Sequence, residues 1–394
     1  MKKILILLLA AAISSASLFG AETKANPADI LKDKANFSKL DLFENEAVFL
    51  DPQINIDVVK AYEQNPSAYA DNELLPVALC YMTLQQPQKT MQLLEKFMAA
   101  CPDNLRALRT YATLVLLNGD QDKALSLYKK AYDSGDKEVA KSIAMAFVLM
   151  GKPGEMGPYI EDLKAYAKTE LSPFTMLLIY AYRNQDAKDL DLAKSAISAL
   201  DTKKAMETAA TDSVVACLNL YLAEKSVWDP KSLVIPAKGA SLSGHLGLAR
   251  EIYNQVLEAD PKNTEALRGK AVVEFKLGGL MDAANLIKSA IDAGDKSAVN
   301  DAMELALTAK SEAVYNMFKP MFEGFDFNLP IRLAMLNFSV KYPDNADIFF
   351  MSIDGENGEK MMREASLKPV ISEGLKKYNS DSRAAKYSDF ALKN

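Results

Sequence analysis

A period of 34 residues runs through the apolar and small side chains of this sequence. A repeat of that length holds two short helices, and neither can bury its apolar face without a neighbouring repeat. Two adjacent units show it. Asp71–Asn104 carries Leu74, Val77, Ala78 and Tyr81, a turn at Gln85-Gln86-Pro87-Gln88, then Thr90, Leu94, Phe97 and Pro102. Leu105–Glu138 carries Leu108, Tyr111, Ala112 and Val115, a turn at Asn118-Gly119-Asp120, then Ala124, Tyr128 and Ala131. A third unit, Thr264–Ser297, has Leu267, Ala271 and Glu274, a turn at Gly278-Gly279, then Ala283, Ile287 and Ala290; ahead of it Ala249, Tyr253, Val256 and Pro261 complete another second helix. Apolar residues recur at helical spacing in nearly every segment after residue 54, and strand patterns are almost absent.

A junction signature recurs at Cys101-Pro102-Asp103-Asn104, Asp260-Pro261-Lys262-Asn263 and Tyr342-Pro343-Asp344-Asn345, with a looser copy at Asn65-Pro66-Ser67. Pro stops one helix before the next begins. The spacing between junctions is not a whole number of periods, so two insertions are expected. The first is placed at Ser226–Ser243, rich in Pro, Gly and Ser. The second lies between Lys296 and Pro330, as an extra helix around Ala298–Thr308.

These units resemble the tetratricopeptide repeat family. The family pattern puts small residues at unit positions 8 and 20, which here are Ala78, Ala112 and Ala271, then Thr90, Ala124, Ala249 and Ala283. Position 24 is aromatic in Tyr128 and Tyr253; position 4, often Trp in the family, is Leu in the clear units. The resemblance covers about residues 54–380, clear in the units above and degenerate elsewhere. It implies an all-α, right-handed superhelical solenoid of antiparallel helix hairpins, with roughly 14–18 helices. The expected organisation is a lead-in at 22–53, an array at 54–225, an insertion loop at 226–243, further repeats at 244–297 and degenerate helical repeats at 298–394.

The resemblance also implies a concave groove lined by first helices, holding a protein or peptide partner. Unit positions 2, 5, 9 and 12 would face it: Asn72, Leu75, Leu79 and Met82; Arg106, Arg109, Thr113 and Leu116; Glu265, Arg268, Val272 and Phe275. The family's carboxylate clamp, Lys at 5 and Asn at 9, is missing; Arg106 and Arg109 are either a seat for a partner carboxylate or ordinary surface arginines. Trp228, the one Trp, is either an exposed contact in the insertion loop or a plug folded back on the array.

Chemistry is scarce. A single His, His245, excludes a two-histidine zinc motif and removes the usual general base. Cys80, Cys101 and Cys217 lack metal-ligand spacing and are expected as free, buried residues. Gly239-Ala240-Ser241-Leu242-Ser243-Gly244 misses a nucleophile elbow by one residue. Asp354-Gly355-Glu356-Asn357-Gly358-Glu359 misses a calcium loop, with Gly one place early and Ala365 in the final position. Acid pairs such as Asp189 with Asp191, or Glu161 with Asp162, read as solvated surface. Formal charge is −6, which argues against a nucleic-acid partner. No catalytic residue, cofactor or metal is expected.

The N-terminus has the pattern of an export signal: Lys2 and Lys3, an apolar run Ile4–Ala12, then small residues. Cleavage fits after Ala16, and less well after Ala21. No Cys follows the run, and no later apolar stretch is long enough to span a bilayer. The reading is therefore an exported bacterial protein, periplasmic or secreted, that acts as a non-catalytic interaction scaffold, with cell-envelope assembly as its setting. A glycan or cell-wall-polymer module and a helical-toroid enzyme stay open as alternatives.

Overall fold

A computed structural model describes residues 52–183, 188–207, 209–342, 345–364 and 366–387. The signal and most of the lead-in lie outside them. Among the described residues every regular element is helical. Among the described residues there are 21 α-helices, more than the sequence predicts. The chain divides into two units of internal contact, residues 1–227 and 228–394.

In the first unit α1 is Pro52–Gln64. Helices α2 (Leu74–Thr83) and α3 (Pro87–Ala100) form one hairpin, and α4 (Leu105–Leu117) with α5 (Gln121–Asp133) the next. Then α6 (Ala140–Leu149) leads through a 3-10 stretch, Pro153–Tyr159, into α7 (Ile160–Ala167). The 3-10 form follows from Pro153 and Pro158, which deny the amide donors an α-helix needs. Helix α8 (Leu171–Ala181) packs on α7 and on α9 (Leu190–Ala199); α10 (Thr202–Glu207) and α11 (Thr211–Ala223) close the unit.

The second unit holds four hairpins: α12 (Val234–Leu242) with α13 (Leu246–Ala259), α14 (Thr264–Lys276) with α15 (Leu280–Asp292), α16 (Ala298–Ala309) with α17 (Glu312–Phe322), and α18 (Leu329–Lys341) with α19 (Ala346–Ile353). It ends in α20 (Gly355–Arg363) and α21 (Lys368–Lys377).

One turn design joins many of these helices. At Asn118-Gly119-Asp120, Gly119 takes a φ of +92°, and the Asp120 amide donates back to the Val115 carbonyl at 3.2 Å. That bond satisfies a carbonyl the helix end leaves open. The Asp120 side chain then accepts from the Lys123 amide and starts the second helix. Gln85 and Lys310 carry the same positive φ without being glycine. At the junctions, Asn104 and Asn263 cap α4 and α14 by accepting from Ala107 and Ala266. That is the physical content of the Pro-x-Asn signature.

Three expectations change. The segment 226–243 is not an insertion loop. Val234–Leu242 is a helix whose Ile235, Ala237 and Ala240 are fully buried. Pro236 sits in its first turn, where a missing amide costs nothing, and the small residues permit close packing. This helix completes a repeat that runs from Pro230 to Asn263. Helix α16 is found where an extra helix was expected, but it is a regular first helix paired with α17. Finally, the signature at 342–345 does not separate two repeats: it lies between α18 and α19, the two halves of one hairpin.

Candidate partner-binding surface

The first helices carry the positions nominated from sequence, and their fates differ. On α2, Leu75 and Leu79 are buried at 2% and 1% exposure and cannot touch a partner. Every residue from Leu74 to Tyr81 is buried, as expected of a helix that is apolar all round. Met82 is half-buried, and Asn72 is exposed on a 3-10 turn ahead of the helix. On α4, Arg106 and Leu116 are buried. Thr113 donates to the Arg109 carbonyl and shares a 2.8 Å hydrogen bond with the Tyr128 hydroxyl. Phe275 on α14 is partly buried against the core of its unit, Glu265 is half-buried, and Val272 is 50% exposed.

The two arginines at unit position 5 are already occupied. Arg109 donates to Glu138 at 2.7 Å and lies 3.8 Å from Asp136. Arg268 makes a two-pronged contact with Asp301, one prong at 2.9 Å, and reaches Asp295 at 3.2 Å and the Ser297 hydroxyl at 3.0 Å. In both cases the acid 27 residues on belongs to a Gly-Asp-Lys turn, Gly135-Asp136-Lys137 and Gly294-Asp295-Lys296. The guanidinium therefore ties a first helix to the start of the next hairpin. The carboxylate that a partner would bring to Arg109 is supplied by the chain itself.

The charges respond unequally. Burial works against ionised Asp295, but hydrogen bonds from Ser297 and the Arg268 charge more than offset it, and its pKa falls below the usual aspartate value. Burial likewise opposes ionised Glu138, and Arg109 and Lys141 outweigh it, so its pKa is lowered. Asp136 goes the other way: burial raises its pKa despite Arg109.

Trp228 is buried, with 8% exposure, so it offers no exposed aromatic contact. Its neighbours Leu233, Val234 and Ile235 are core residues too, which draws the segment inward. Cys80 and Cys217 are buried free thiols, pushed up to about 12 by burial; Cys101 is only half-buried, at a helix end. Among the described residues no group of three or more His, Cys, Asp or Glu could hold a metal ion. No described helix is long and apolar enough to cross a membrane. A shallow groove of about 450 Å³ on α13, α14 and α15 has Arg250 and Glu274 in its lining, paired with each other at 2.7 Å.

Sequence reasoning missed Lys238 and Leu242 on α12, because that helix reads as loop, and Lys276, which lies one position beyond the family's groove set. All three are exposed, and Leu242 is 48% exposed. Their trace in the sequence is register: Lys238 and Leu242 precede Val272 and Lys276 by one full period of 34. Helices α12 and α14 pack on each other, so these four positions fall on equivalent faces of adjacent first helices.

Residues 243–298 match the tetratricopeptide repeat family model. No curated protein matches the chain. Among solved structures, a tetratricopeptide repeat protein from Parabacteroides merdae is similar, at 11% identity and a TM-score of 0.34, over 68% of this chain and 94% of that one. YrrB, described as a TPR protein with an unusual peptide-binding site, is 14% identical with a TM-score of 0.23, over 64% of this chain and 96% of its own. The Cut9–Hcn1 hetero-tetramer of the APC/C gives 12% identity and a TM-score of 0.33, over 93% of this chain and 84% of that one.

Proposed function

We propose that this chain, which matches the tetratricopeptide repeat model over residues 243–298, is an exported, non-catalytic scaffold that holds a segment of a partner protein on the first helices α12 and α14. Proteins of this family generally act as scaffolds without catalysis. One observation carries the reading: Leu242 and Val272 are aliphatic side chains left about half exposed on adjacent first helices, and Val272 lies in the stretch that matches the family. Aliphatic side chains cost free energy in water, roughly 25 cal/mol per Å² of exposed apolar area, and a partner that covers them recovers it. The other large apolar residues left exposed among those described are Leu222, Leu277, Met281, Leu329 and Val340. None is aromatic, which disfavours a glycan-binding platform. Export rests on the N-terminal pattern of Lys2, Lys3 and Ile4–Ala12.

The test is a photo-reactive amino acid placed at Val272 in living cells, with Glu251 on the second helix α13 as control. The expected result is one envelope or secreted protein captured from Val272 alone, by a chain whose intact mass lacks residues 1–16 or 1–21. Equal capture from both positions, or a full-length chain retained in the cytoplasm, would overturn the reading.

A further inference from the structure

We infer that the α12–α14 face selects an acidic–aliphatic segment, two carboxylates with an aliphatic side chain between them. This rests on the reading that first helices hold the partner, and it adds the partner's chemistry. Lys238 and Leu242 stand one turn apart on α12; Val272 and Lys276 stand one turn apart on α14. The four form a quadrilateral with lysines on one diagonal and aliphatics on the other. Neither lysine has a hydrogen bond or ion pair within the chain among the described residues, and both are exposed.

The surroundings sharpen the contrast. Helix α12 contains no acidic residue. Glu274 on α14 is 8% exposed and committed to Arg250. Arg268, one turn before Val272, is neutralised by Asp295 and Asp301. In a chain of net charge −6, this face is left with two uncompensated positive charges beside uncovered aliphatics. Lysines lying among apolar side chains complement carboxylates on a segment whose aliphatics fill the other diagonal.

The spacing sets the motif. Side chains one turn apart on a helix lie ~6 Å apart, and packed helices lie ~9 Å apart. The lysine diagonal is therefore about 11 Å, close to the reach of three residues in a polyproline II segment at ~3.1 Å each, whose three-residue turn brings positions i and i+3 to one side. The preferred segment reads Asp or Glu, aliphatic, any residue, Asp or Glu.

The test is selection of random twelve-residue peptides displayed on phage against the full chain, followed by anisotropy with one labelled winner. The expected result is enrichment of that motif. Binding should weaken at least about tenfold in the double variant Lys238→Glu, Lys276→Glu, and should fall as salt rises. Both lysines are exposed, and an unchanged circular-dichroism spectrum verifies that the variant is folded. Enriched peptides without acids, or equal binding to the double variant, would overturn the inference while leaving the scaffold reading in place. No enrichment together with no adduct from Val272 would overturn both.

Discussion

A single missing methyl group shows how tightly these hairpins are set. A Cβ built on Gly269 in α14 would lie 2.3 Å from the Tyr253 hydroxyl and 2.4 Å from its ring carbon. Tyr253 is 2% exposed, with no open space to retreat into. It is the large residue that fills the gap between one hairpin and the next, and Gly269 is the hollow that receives it. Two effects compete in Gly269→Ala. Helix propensity favours Ala by about 1 kcal/mol, whereas overpacking costs typically 1–3 kcal/mol. At 2.3 Å the clash should win, lowering stability by about 1 kcal/mol net in urea unfolding. Gly247→Ala is the control: in α13, with nothing within 4 Å of its built Cβ, it should be neutral or stabilising. Both variants moving in the same direction would contradict this account. Arg332 is a second close-set residue. Its guanidinium, 1% exposed, donates to the carbonyls of Phe327, Met351 and Ser352 and pairs with Asp326. The neighbouring Gly355, at a φ of +76°, begins α20. That gives the acidic stretch beginning at Asp354 a structural use: Asp354 bonds Lys386 and Tyr387, and Asn357 bonds Asp326.

At the scale of elements, the position-5 arginines set how one hairpin meets the next, and the acids they hold make the joint sensitive to pH. Asp295 has a folded-state pKa below 3.8. Its ionised form is favoured by folding, so its contribution is complete above the unfolded pKa and is lost as pH falls through the lower folded value. Asp295→Asn should therefore cost about 1 kcal/mol at neutral pH and less near pH 3, measured as the difference in Tm from the parent chain. A difference that stays constant across this range would remove the charge from the explanation. Asp136, raised by burial, has the opposite sign: its protonation as pH falls through its folded pKa relieves a penalty. Most hairpins were legible at this scale because Ala at positions 8 and 20 and Asn caps are local requirements. Helix α12 was not, since Pro236, Gly239 and Ser241 carry loop chemistry by composition, and only packing on α13 and α14 makes them helical. The signature at 342–345 misled because it reports the end of one helix and the start of another, whichever repeat they belong to. The exposure of the nominated positions was legible in part. Val272 is exposed as expected, but Leu75 and Leu79 belong to a helix whose unbroken apolar run, Leu74 to Cys80, already implied burial on every side. Whether Arg109 holds its own chain or a partner depends on Glu138, 29 residues away, which spacing alone does not connect.

At the scale of the molecule, a repeat chain is stabilised mainly by neighbours, so damage should stay local. Among the described residues of the second unit, two clusters of buried side chains lie beyond α13. One runs from Leu267 to Ile348, and the other gathers Leu336, Phe349, Phe350, Ile353, Met361, Ile371, Leu375, Tyr378 and Tyr387. Gly374 in α21 faces the second: a Cβ there would lie 2.2 Å from the Phe349 ring, which is 1% exposed. Gly374→Ala must displace that ring or α21, at a cost of about 1–3 kcal/mol. In a globular domain the loss would spread through one cooperative unit. In a nearest-neighbour array it should appear as faster amide exchange in α19, α20 and α21, with α12 to α15 unchanged, because those hairpins keep all their own contacts. Amide exchange followed by mass spectrometry resolves the two patterns. Acceleration spread evenly through the second unit would mean that the two clusters unfold as one, and that the chain behaves there as a domain despite its repeats.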